Sequence, residues 1–112
     1  MREGRDGVWT LVMYDLPITN RKDLKAANRF NRLLADLGFV RVQFSVYVRY
    51  TPTQSGCRSA IAYIRASLPP HGNVRLLCVT DIQWADSLRF LDRKQQENVE
   101  QPEPLTLFND ME

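Results

Sequence analysis

Histidine occurs once, at His71, and cysteine twice, at Cys57 and Cys78. A zinc centre takes four nitrogen or sulfur ligands at close spacing. One histidine and two cysteines with no Cys-x-x-Cys pair cannot supply them, so zinc is excluded. The cysteines fall in a predicted helix and a predicted strand and read as buried, reduced thiols. No apolar run approaches the ~20 residues that cross a bilayer. The opening "MREGRDG" leads into a short strand-like run and not into the apolar stretch of a signal peptide. The expected location is the cytoplasm, with no membrane partner. Internal repeats and low-complexity segments are also absent.

Lysine and arginine are missing from residues 97–112, which carry Glu97, Glu100, Glu103, Asp110 and Glu112. Residues 21–32 are the reverse, with Arg21, Lys22, Lys25, Arg29 and Arg32 against Asp23 alone. The net charge of +2 over 112 residues hides this asymmetry. A basic front and an acidic tail is a stronger pointer to a polyanionic partner than the total. The length suits one domain with one core.

The run "VWTLVMY" (8–14) is β-branched and aromatic and apolar on both parities. Val8, Val12 and Tyr14 point one way; Trp9, Leu11 and Met13 point the other. A strand apolar on both sides has both faces covered. Pro17 ends it. A helix is predicted over 20–37, capped by Asn20 with Asp23 three residues on. Its stripe is Leu24, Ala27, Phe30, Leu34 and Leu37, and Gly38 stops it. "FVRVQFSVYVRY" (39–50) reads as one long strand or, with a bulge or break near Gln43–Ser45, as two. A second helix is expected over 53–68, with Cys57, Ile61, Ile64 and Leu68 as its stripe. "VRLLCVT" (74–80) is a further strand, residues 81–84 a turn and residues 87–93 a short edge strand. Residues 94–104 lack periodicity and read as a linker. "PLTLF" (104–108) is a small strand seeking an edge.

The order is β-α-β(β)-α-β, which fits an α+β, ferredoxin-like βαββαβ sandwich. That gives a domain over 1–93 and a tail over 94–112 with a docking strand near 104–108. Two helices cover one face of such a sheet. Because the first strand is apolar on both sides, a second copy of the chain is the simplest cover for the other face, making a homodimer.

Asp15 stands where the first strand meets Leu16-Pro17. An aspartate there can bond its own backbone as a turn residue or serve as a ligand; the residues alone leave both open. Arg21, Lys22 and Lys25 lie close by in sequence, and Arg41 and Arg49 share the polar parity of the second strand. Together they form a candidate phosphate track. Tyr14, Phe44, Tyr47 and Tyr50 are candidate stacking platforms, although strand aromatics in a small domain favour packing.

The combination of "MYDLP", the run Gly38, Gln43, Ser45, Val46, Tyr47, and "LPPHGNVRLLCVTDIQW" resembles the CRISPR-associated protein two family, over residues 8 to about 84. "PLTLF" is similar to the closing patch of some members. The segment "LRFLDRK" departs from the family in having no Gly and little Lys. The resemblance implies a ferredoxin-like homodimer, an endonuclease acting on RNA or double-stranded DNA, and Asp15 as a catalytic Mg²⁺ ligand. It also implies a bridging role with the CRISPR integrase in spacer acquisition, with or without cleavage. Leu105, Leu107 and Phe108 are then the residues that dock on the partner protomer or the integrase.

Overall fold

The computed structural model describes residues 7–98. At its centre runs β1 (Val8–Asp15), in a four-stranded antiparallel sheet ordered β2-β3-β1-β4. Its neighbours are β3 (Val46–Thr51) and β4 (Asn73–Thr80); β2 (Val40–Gln43) pairs with β3 at the edge. This is the strand order and element order of the ferredoxin-like sandwich, as expected. Two helices, α1 (Arg21–Asp36) and α2 (Gln54–Arg65), supply the second layer.

The parity of β1 decides which residues meet the helices. Val12 and Tyr14 face α1 and α2, joining Phe30, Leu34, Phe39, Ala60 and Ile64 in the core. Leu11 and Met13 face away, with Val48 and Leu77, and Val46 and Arg75, directly across from them. This second face is open toward β4, where Leu77 is 46% exposed, while Leu11 and Met13 are half-buried and Val48 is buried. At its far end the face is closed: Trp9 is buried beneath Trp84, stacked at 5.2 Å, and against the edge of Tyr50 at 5.4 Å.

The ends of α1 follow from local chemistry. Asn20 Oδ1 accepts from the Asp23 N–H at 2.8 Å, and Asn20 Nδ2 donates to the Asp23 carboxylate at 3.0 Å. At the other end Gly38 adopts φ 90°, a conformation that side chains resist. The Phe39 N–H then reaches the Leu34 carbonyl and the Gly38 N–H the Ala35 carbonyl, both at 3.0 Å. That is a Schellman closure, and it buries Leu34 and Phe39 in one core.

Several expectations change. The stretch 39–50 is split in two at the expected break and folds back as a hairpin: Gln43 faces Val46, Phe44 and Ser45 form the turn, and Ser45 takes φ 66°. The register shift lies between Arg41 and Gln43, close to the expected bulge. α2 ends at Arg65, so its buried stripe is Cys57, Ala60 and Ile64, while Leu68 lies beyond the helix and is exposed. The cysteines are not free thiols; Cys57 and Cys78 are paired as a disulfide, with Cα atoms 6.7 Å apart. Packing α2 on the sheet brings them within bonding reach, which no spacing rule reveals.

Residues 81–86 form a short helix, α3 (Asp81–Asp86), where a turn was expected. Thr80 and Gln83 make a reciprocal capping box, a signature present in the sequence. Residues 89–96 form a separate hairpin of β5 (Arg89–Leu91) and β6 (Lys94–Gln96). Its turn carries positive φ at Asp92 and Arg93, so the chain folds back where a linker was read. The expected strand at 104–108 lies outside the described residues.

Candidate nucleic-acid site

Asp15 is the last residue of β1 and is exposed, on the open face of the sheet. Among the described residues its carboxylate takes neither a hydrogen bond nor an ion pair. The residue before it is held firmly. The Tyr14 hydroxyl donates to Asn31 Oδ1 on α1, its ring meets Phe30 edge-on at 5.5 Å, and it stacks on Tyr47 at 6.1 Å. Burial, and then the neighbouring Tyr47, push its pKa from 10.0 up to about 12. Tyr14 therefore stays neutral and keeps its hydrogen bond. The loop before β4 closes the other flank. A side chain at Gly72 would come within 2.8 Å of the Asp15 carbonyl and 2.7 Å of Leu16.

Register adds two residues that sequence reasoning missed. Asn73 lies directly across from Asp15, and Arg75 across from Met13. Directly paired residues share a face, and diagonal neighbours on a sheet are about 7–8 Å apart. Asn73 and Arg75 thus flank Asp15 on the open face. The signal was their shared parity in "NVRLL", masked by reading the strand as continuously apolar.

The cations divide into two groups. Arg21, Lys22 and Lys25 occupy the first turns of α1, just beyond Asp15, and all three are exposed. With Arg29 and Arg32 they form a stripe opposite the buried Ala27, Phe30 and Leu34, about 15 Å long from Lys22 to Arg32. Asp23, the acid among them, is occupied by Asn20. Arg41 pairs with Tyr47 and lies close enough to Tyr14 to act on its ionisation. Arg49 does not join them. It pairs with Thr10, five residues back along β1, which is about 16 Å away. Its Nε lies 4.0 Å from where a side chain on Gly38 would begin, at the carboxyl end of α1.

Of the candidate stacking aromatics, Tyr14, Tyr47 and Tyr50 are packed, as favoured. Phe44 is not: its ring is 84% exposed, with the Arg41 guanidinium 5.9 Å above it. His71 is exposed in its turn. No group of three or more His, Cys, Asp or Glu capable of holding a metal occurs among the described residues. One protomer thus offers Asp15 and the Asn73 amide as hard oxygen donors. That set matches Mg²⁺, which keeps several waters and takes one or two carboxylates. Leu105, Leu107 and Phe108 lie outside the described residues. None of the described helices is long and apolar enough to cross a membrane.

Known proteins resemble this chain over most of its length. The family model described as CRISPR associated protein Cas2 matches residues 8–87. A "CRISPR-associated endoribonuclease Cas2" of Flavobacterium psychrophilum is 36% identical over 101 residues, covering 90% of this chain and 88% of its own. Proteins of the same name from Paracidovorax avenae and Parvibaculum lavamentivorans are 34% and 33% identical, each over 90% of this chain, and over 94% and 100% of theirs. The match begins at the strand that carries Asp15 and extends past α3, over most of the described residues: the chain belongs to the CRISPR associated protein Cas2 family.

Proposed function

We propose that this chain is a Mg²⁺-dependent endonuclease of CRISPR adaptation, cutting RNA or double-stranded DNA as a homodimer. In this reading it also binds DNA together with the CRISPR integrase. The observation that carries it is the state of Asp15: an exposed carboxylate with no partner among the described residues, at the end of a rigid strand, with Arg21, Lys22 and Lys25 following in the first turns of the next helix. Relatives named endoribonucleases support the same chemistry.

The open face supports self-association. Leu11, Met13 and Leu77 lie where no described helix covers them, and a two-fold axis there brings a second Asp15 toward the first. Two such carboxylates would hold Mg²⁺, which when bound polarises a phosphoryl oxygen and lowers the pKa of its water. The rest falls to the chain. Tyr14, fixed by Asn31 and Tyr47, sets the direction of Asp15. The α1 stripe neutralises phosphates without reading sequence. Arg75 and Asn73 meet the strand at the same rim. The tail around Leu105, Leu107 and Phe108 adds as a strand to a sheet edge of the partner protomer or of the integrase.

A second reading has its own support. Among the described residues a single protomer gathers no group of three or more His, Cys, Asp or Glu fit to hold a metal, as suits a dimeric adaptor that binds duplex DNA and integrase without cutting. Cleavage of labelled RNA and duplex DNA, with Mg²⁺ and with EDTA, by the wild type and Asp15→Ala, separates the two. Loss of Mg²⁺-dependent cleavage in Asp15→Ala supports the nuclease; undiminished cleavage rules Asp15 out. Replacing Lys22 and Lys25 by Gln lowers the slope of log affinity against log salt by about two if both contact phosphate; an unchanged slope removes the stripe from the interface.

A further inference from the structure

We infer that Phe44 and Arg41 form a stacking platform for an unpaired nucleobase, next to the scissile position. The inference rests on the reading of Asp15 as the place where the phosphodiester is cut. Phe44 sits at the tip of the β2–β3 turn, and that turn is tied to the strand that carries Asp15. The Tyr14 N–H donates to the Ser45 carbonyl at 3.1 Å, so the residue after Phe44 is bonded to the residue before Asp15. Phe44 and Asp15 therefore share one end of the sheet.

The ring is available. It is 84% exposed, the most exposed large apolar side chain among the described residues. The other three aromatics of this neighbourhood, Tyr14, Tyr47 and Phe30, are engaged with one another. An aromatic left out of the core costs free energy in water, and the turn keeps it there with a non-glycine residue, Ser45, at φ 66°. Its setting selects the occupant. The Arg41 guanidinium lies over the ring at 5.9 Å, and Arg21, Lys22 and Lys25 begin α1 at the same end. A flat apolar ring with cations around it suits a base stacked on the ring and its phosphate against the cations. A protein partner would meet these charges unpaired. Bases in a duplex are already stacked on their neighbours, so only a single strand, a flap or a frayed end presents one to Phe44.

The test is fluorescence of a single-stranded oligoribonucleotide carrying 2-aminopurine, titrated with the full chain in EDTA, beside a duplex DNA of equal length. Wild type quenches the probe. Phe44→Ala relieves the quench and weakens single-strand binding about tenfold to a hundredfold, leaves duplex binding unchanged, and Phe44→Trp restores both signals. An exposed ring adds little to folding, so the melting curve of Phe44→Ala stays that of the wild type. Equal losses for strand and duplex, or full affinity in Phe44→Leu, overturn the platform. A change in sedimentation of Phe44→Ala also overturns it, since the ring is then a protein contact. Asp15→Asn separates the two readings. Quenching with loss of Mg²⁺-dependent cleavage supports both. Quenching with cleavage intact keeps the platform and sinks Asp15 as the cutting residue.

Discussion

The two ends of β1 each place an aspartate beside the strand, and they use it in opposite ways. At the Trp9 end, Asp81 is 2% exposed and accepts from the Trp9 indole at 2.8 Å, while its backbone N–H bonds the Gly7 carbonyl at 2.9 Å. At the other end Asp15 is exposed, with no hydrogen bond or ion pair among the described residues. A buried carboxylate has to be satisfied by the protein that buries it. An exposed one at a fixed position is free to meet a ligand. The first aspartate is used up by the fold and the second is left open to a ligand, although both stand next to large aromatic side chains.

Substitution at each end sharpens that contrast. Asp15→Ala is expected to reduce Mg²⁺-dependent cleavage about a hundredfold or more, while its unfolding free energy stays within about 0.5 kcal/mol of the wild type. Asp81→Ala is expected to do the reverse, costing about 3 kcal/mol because it strands a buried indole donor, with kcat little changed in the folded fraction. Urea unfolding and a cleavage assay on both variants check the pair. If Asp15→Ala were the unstable variant, the division of labour would be wrong.

Smaller effects test the scaffold that holds the Asp15 end. Asn20→Ala removes the cap of α1 and is expected to cost about 1 kcal/mol, again by urea unfolding. Tyr14 gives a pH signature. Its folded pKa is raised from 10.0 to about 12, so the unfolded chain releases this proton first. The contribution is fully present below pH 10 and is lost as pH rises toward 12. Urea midpoints in that window should fall with pH in the wild type and less steeply in Tyr14→Phe; parallel curves would remove Tyr14 as the cause.

Local rules carried much of this molecule. The Asn20 cap, the Gly38 stop, the double-sided apolarity of β1 and the helical stripe of Ala27, Phe30 and Leu34 are all contacts between near neighbours in sequence. The same rules should have found α3, since Thr80 and Gln83 have capping-box spacing. They failed where a contact joins distant segments. Cys57 with Cys78, Asn73 opposite Asp15, and Arg49 turned away toward Gly38 depend on which strands are neighbours and in what register.

The sequence by itself determined the order of elements, the strand that lies at the centre, the position of Asp15 at that strand's end and the cationic face of α1, because periodicity and capping are set within a few residues. Tertiary structure alone decided what each of these residues meets. Antiparallel pairing put Asn73 and Arg75 beside Asp15, sent Arg49 to the opposite end and left Phe44 outside the core, because a hairpin turn and a register shift fix which way every following side chain points.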